Sequence, residues 1–112
     1  MRVMEHTTIL CAANSYTKKY YLNPEFNHLP ENVKDELKAM SVLFTEENGG
    51  IFEVLFDEDG ELLLRTDAEE GDLNFDEIGA GLLVKRLRSE KRDLFEELTV
   101  FFKVVFLGET FD

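Results

Sequence analysis

Between Gly49 and Thr66 two apolar runs, Ile51-Phe-Glu-Val-Leu-Phe56 and Leu62-Leu-Leu-Arg-Thr66, flank Asp57-Glu-Asp-Gly60. This is a β-hairpin signal, and it demands a surface to pack against. A two-residue loop at Asp59-Gly60 sets Val54 opposite Arg65 and splits the apolar residues between faces. A three-residue loop, Glu58-Asp59-Gly60 with Gly60 left-handed, instead pairs Phe56 with Leu62, Val54 with Leu64 and Phe52 with Thr66. The other face then pairs Glu53 with Arg65 and Leu55 with Leu63, which favours this register. One face is strongly apolar; the second, with Ile51, Leu55 and Leu63, still needs cover from the chain or from another copy of it.

The first strand is expected at Thr8–Ala13, apolar on both faces as an interior strand is, and the second at Tyr16–Leu22, where Lys18 and Lys19 suit an edge. After a connector, Pro30 fits a helix start, and Val33, Leu37, Met40 and Phe44 share one helical face until Asn48-Gly49-Gly50. A helix over residues 30–47 follows, with a strand at 41–45 as the competing reading. Asn74 as N-cap, Glu77 closing a capping box and Leu73 stapling Ile78 predict the next helix, with Ile78, Leu82, Leu83 and Leu87 on its apolar face. Gly79 and Gly81 imply close approach to a neighbour. Asp93 and Glu96 form a second capping box, so residues 75–107 read as one helix of about 50 Å, as two helices, or as a helix and a strand. The apolar run Leu98–Leu107 predicts burial on several sides. The expected fold is α+β in two layers: one domain over residues 1–112, a small antiparallel sheet of about four strands with helices mainly on one face.

A chain of 112 residues, 44% hydrophobic, is long enough for one core and too short for two ordinary domains. Its 24 acidic against 12 basic residues, net −12, argue against direct nucleic-acid binding, because the basic group Lys85, Arg86, Arg88, Lys91 and Arg92 is diluted by acidic neighbours. Acidic mimicry of nucleic acid is the opposite possibility. One cysteine, Cys11, excludes an intrachain disulfide and a multi-cysteine metal site, and its apolar strand predicts a buried, unreactive thiol. The N-terminus lacks a signal-peptide pattern and no segment is long enough to span a bilayer, so a cytoplasmic location without membrane contact is expected.

Few residues stand in a pattern that chemistry requires. Asp57-Glu-Asp-Gly60 lacks the calcium-loop spacing, since glycine stands fourth and Leu62 sixth. Asp67, Glu69, Glu70, Asp72, Asp76 and Glu77 form an acidic loop able to hold a cation or supply acid–base pairs; a solvated loop leading into a helix N-terminus explains the same residues. His6 and His28 lie in no ligand spacing and are expected at the surface. Tyr16, Tyr20, Tyr21 and Phe26 near Lys18 and Lys19 can line a ligand site, or simply pack. No cofactor and no catalytic residue is indicated.

The string Cys-Ala-Ala-Asn-Ser-Tyr-Thr-Lys-Lys-Tyr-Tyr-Leu-Asn-Pro from Cys11, with Phe56-Asp-Glu-Asp-Gly60, Asp76-Glu-Ile-Gly79 and Phe102-Lys-Val-Val-Phe-Leu-Gly108, resembles a family of small acidic proteins from anaerobic Firmicutes that carries no assigned function. A looser likeness, in element order alone, is to roadblock-type dimerisation modules, from which the two leading strands and the helical C-terminus depart. The leading expectation is a non-enzymatic interaction or regulatory domain forming a homodimer, with Ile51, Leu55, Leu63, Phe101 and Val105 as its self-association surface. The rival is a small-ligand or metal-dependent enzyme using the acidic loop, with Tyr20 or His28.

Overall fold

The computed structural model describes residues 7–110. The elements run β1 (Thr8–Asn14), β2 (Lys19–Leu22), a 3-10 turn (Pro24–Phe26), α1 (Glu31–Asn48), β3 (Ile51–Phe56), β4 (Leu62–Asp67), α2 (Glu77–Glu90) and α3 (Arg92–Val105). The sheet order is β2-β1-β3-β4 with every neighbouring pair antiparallel, so Lys19 does lie on an edge strand and β1 is interior. This is an α+β fold with its helices packed against the sheet.

The β3–β4 hairpin has the register its side-chain pattern requires: Phe56 faces Leu62, Val54 faces Leu64 and Glu53 faces Arg65. The turn works because Gly60 takes φ 87°, and because the Asp57 carboxylate accepts the N–H groups of Asp59 and Glu61, each at 2.9 Å. In β1, Leu10 is the extra residue of a bulge against β3, which sends both Leu10 and Cys11 into the core. Asn23 then extends the edge, donating from its backbone to the Leu10 carbonyl at 3.0 Å and from its side chain to the Ile9 carbonyl at 2.8 Å.

α1 buries Leu37, Met40 and Phe44, and beside them Ser41, Thr45 and Asn48. A strand at 41–45 is therefore excluded: Ser41, Thr45 and Asn48 recur at four and three residues and share one side only in a helix. The segment after β4 needs more correction. Asp76, not Asn74, caps α2, accepting the Gly79 N–H at 2.8 Å, while its own N–H is held by the Asn48 carbonyl at 3.1 Å. Leu73 is 95% exposed and Ile78 78% exposed, so no staple forms, and Leu82 also points outward. Ala80 and Leu87 are the buried residues of α2. Gly79 is a close-approach position, since a Cβ there would meet Asp76 and Asn48, whereas Gly81 faces open space.

Residues 77–105 form two helices, broken at Lys91. α3 buries Leu94, Phe95, Leu98 and Phe102 but leaves Val100, Val104 and Val105 exposed, so its apolar run is covered on one side only. The core culminates in stacked rings: Phe56 and Phe102 lie 4.2 Å apart between centroids, Phe102 and Phe106 4.9 Å, and Phe26 and Phe106 4.8 Å.

Candidate functional site

Strand alternation gives the sheet two unlike faces. Phe52, Val54 and Phe56 join the helices in one core. On the opposite face Ile9, Leu55 and Leu63 form one cross-strand row, and Tyr21, Ala12, Glu53 and Arg65 form the next. None of these residues belongs to the helix-covered core. Leu55 is fully buried and offers no area of its own; Ile51 and Leu63 are half-buried. The row of charges is closed on itself, because Arg65 Nε donates to Glu53 Oε1 at 2.6 Å. Phe101 and Val105 lie elsewhere: Phe101 is half-buried against the Phe26 and Phe106 rings, and Val105, 59% exposed, stands on α3 on the helical side.

The acidic loop is committed to holding the chain end of the sheet together. The Tyr16 hydroxyl donates to Asp72 Oδ2 at 2.5 Å and accepts the Glu69 N–H at 3.0 Å. Asp72 Oδ1 accepts the Asn74 N–H at 2.9 Å, and Asp67 Oδ1 the Ala68 N–H at 2.8 Å. Among the described residues no three His, Cys, Asp or Glu side chains gather closely enough to hold a metal ion. The remaining described carboxylates are distributed over the Asp57–Glu61 turn and all three helices, with Glu25, Glu53 and Glu109 outside them. His28 is exposed in the connector, and His6 lies outside the described residues.

The Tyr16 contact makes a pH prediction. Its hydrogen bond, chiefly, and the Asn74 N–H after it hold the Asp72 carboxyl below its ordinary value, while the same bond raises the Tyr16 phenol. A lowered carboxyl contributes stability that is fully present above its ordinary pKa of about 4 and is lost as pH falls through the folded value. The raised phenol contributes below about pH 10 and loses its part as pH rises through the folded value. Tyr16→Phe is therefore expected to be less stable than the parent at pH 7, with the difference shrinking below pH 4. Urea midpoints at pH 7 and pH 3 check this; a difference independent of pH would show that Tyr16 acts only by packing.

A third place lies between the first hairpin and α1. Ala13, Tyr20, Val42 and Thr45 wall a cavity of about 530 Å³, with Asn14, Ser15, Lys18, Lys19, Lys38 and Glu46 also on its lining. Beneath it Cys11 Sγ sits 3.7 Å from Ser41 Oγ, and burial raises the thiol's pKa, partly opposed by Ser41 and Tyr20. Its strand implies burial, and a buried thiol held in its protonated form is disfavoured as a nucleophile. The Tyr20 hydroxyl is close enough to Cys11 for burial and the neighbouring sulfur to raise its pKa, yet it makes no hydrogen bond of proper geometry.

Of the aromatic group near Lys18 and Lys19, only Tyr20 lines this cavity; Phe26 is a core residue and Tyr21 belongs to the outer face. Sequence reasoning did not bring Lys38 to the hairpin lysines. The signal for it is the spacing of Lys38, Val42 and Thr45, one helical stripe adjoining the buried polar residues of α1.

Among the described residues no helix is long and apolar enough to cross a membrane. Neither the curated proteins nor the solved structures contain a match to the chain. The profile of a family of unknown function, DUF6145, matches residues 7–110, nearly the whole sequence, and the chain belongs to that family.

Proposed function

We propose that the protein is a non-enzymatic interaction domain of the cytoplasm that forms a homodimer through the outer face of its sheet. The observation that carries this reading is the one-sided placement of α1, α2 and α3. It leaves the row of Ile9, Leu55 and Leu63, with Tyr21 in the next row and Ile51 beyond it on the same face, outside the core. A second copy is the occupant that fits. The charges in the middle of this face, Glu53 and Arg65, neutralise one another, so two faces meet without opposing carboxylates even though each chain carries a net charge of −12. Packing about a two-fold axis makes such a patch complementary to itself, with strands crossing at about 30°. Phe101 and Val105, on the helical side, do not belong to this interface.

The size of the face sets the affinity. Four strands about 4.8 Å apart and roughly 20 Å long present on the order of 400 Å² in projection, roughly 800 Å² for the two copies, below the standard specific interface and in the range of weak, transient association. A dissociation constant in the micromolar range is the expected result. Sedimentation velocity from about 5 to 500 μM, a range spanning that affinity, is expected to show a monomer passing into a dimer. Leu63→Lys, which sets a cation in the row on each copy, is expected to remain folded by circular dichroism and monomeric throughout. A parent protein that stays monomeric at the highest concentration, or a dimer indifferent to Leu63→Lys, overturns the proposal.

A further inference from the structure

We infer that the cavity between the first hairpin and α1 is a binding site for a small organic anion, one with a flat apolar body and a doubly charged head such as a phosphate monoester. Three observations converge on it. The first is charge: Lys18, Lys19 and Lys38 border the cavity against one carboxylate, Glu46, in a chain whose acidic residues outnumber its basic ones two to one. Most other cations here are occupied. Lys34, Arg65, Arg86, Lys91 and Lys103 all pair with carboxylates; Lys18, Lys19 and Lys38, like Lys85, Arg88 and Arg92, have no ion pair among the described residues, but Arg88 and Arg92 share their concavity with Glu61 and Glu96, whereas the three lysines meet one carboxylate. Cations gathered at one concavity while carboxylates are plentiful elsewhere make a local field that attracts anions.

The second observation is backbone strain. Lys18 holds φ 57° at the end of the β1–β2 turn, the only non-glycine residue with positive φ among the described residues. Glycine or asparagine suits that position, and a lysine there is disfavoured. Strain retained at the rim of a cavity is the kind found where a side chain is needed in one place.

The third is shape. A volume of about 530 Å³ is several times that of a bare phosphate and falls in the range of small-molecule sites. Its walls supply a tyrosine ring, Val42 and Ala13 for an apolar body, leaving the lysines at the mouth for the charged head. The site is built from the β1–β2 hairpin and α1 and is separate from the outer sheet face.

The test uses four probes on the full chain, followed by amide chemical shifts: adenosine monophosphate, 1-naphthyl phosphate, inorganic phosphate and adenosine. The two phosphate monoesters are expected to bind at least ten-fold more tightly than phosphate or adenosine. Their shift changes should be confined to residues 13–20 and 38–46, and the affinity should weaken as salt is raised. The double variant Lys18→Glu, Lys38→Glu is expected to lose binding, while Lys85→Glu, Arg92→Glu, the same charge change elsewhere, retains it. Lys18→Gly separates the strain from the ligand: its melting temperature is expected to rise while its affinity falls several-fold. Failure of both monoesters to bind at about 10 mM, where even millimolar sites fill, overturns the inference. So does binding of phosphate as tight as that of the monoesters, or binding unchanged in Lys18→Glu, Lys38→Glu.

Discussion

Phe26→Ala is expected to lower the stability of the protein by about 3–5 kcal/mol, the range for deleting a fully buried phenylalanine. Phe26 lies in a three-residue 3-10 turn, outside every long element, yet its ring is wholly inaccessible. The rings of Phe56, Phe101, Phe102 and Phe106 surround it, at centroid distances of 6.0, 6.3, 6.5 and 4.8 Å. Three separate parts of the chain, β3, α3 and the residues after α3, therefore meet on this one side chain. The cavity left by truncation cannot collapse easily, because Phe56, Phe102 and Phe106 are themselves stacked in series and Phe101 meets Phe106 edge-on. A small domain has about 5–15 kcal/mol in all, so the loss removes a large share. Thermal unfolding should shift down by roughly 15 °C or more at about 4–8 °C per kcal/mol. A loss under about 1 kcal/mol would mean that the C-terminal part of α3 does not pack as described.

That the connector carries a central core residue was hidden in the sequence for a physical reason. Phe26 stands alone between Asn23-Pro24 and Asn27-His28, without a periodic neighbour to reveal which way it points. Periodicity worked where it existed. The β3–β4 register followed from alternation together with the one glycine able to close the turn, and Leu37, Met40 and Phe44 followed from helical spacing. It failed at the start of α2, where the Asn74 capping box is locally well formed but loses to tertiary contacts: the Asp72 carboxylate takes the Asn74 N–H, and the Asn48 carbonyl fixes the Asp76 N–H. The helix begins later than its local signal; its buried face keeps Leu87, with Leu83 packed beside the core, and takes in Ala80, while Ile78 and Leu82 point outward.

The candidate sites were legible in the same uneven way. That Ile51, Leu55 and Leu63 share one face is a consequence of hairpin register, and register was readable; that Ile9 joins Leu55 and Leu63 in a row was not, because β1 supplies it from far away in sequence. The lysine-rimmed cavity joins Lys18 and Lys19 to Lys38 across the turn between the hairpin and α1. No pattern within either segment announces the other. The acidic loop invited a metal reading by composition alone; of its carboxylates, Asp67, Asp72 and Asp76 accept nearby N–H groups, and Asp72 also accepts from Tyr16.

Gly50→Ala is expected to destabilise the fold by about 2–5 kcal/mol, the sum of a left-handed backbone penalty and overpacking against groups that cannot yield. Gly50 has φ 72°, which a side chain resists, and an added Cβ would overlap the Asp67 carbonyl oxygen and lie 2.7 Å from the Phe75 ring. The backbone cannot retreat cheaply: Asp67 ends β4, paired with Ile51, and the Gly50 carbonyl accepts the Ser15 N–H at 2.9 Å. Gly50 is thus the point where β1, β4 and the approach to α2 close over the link from α1 to β3. Gly71→Ala provides the contrast. Gly71 has φ 83°, and nothing stands within 4 Å of the place an added methyl group would take, so only the backbone penalty of about 1–2 kcal/mol applies. Urea denaturation of the two variants separates the effects. Equal losses would mean that β4 and the 67–76 loop do not pack over Gly50, and the Tyr16–Asp72 tie at the same end of the sheet would lose its support with them.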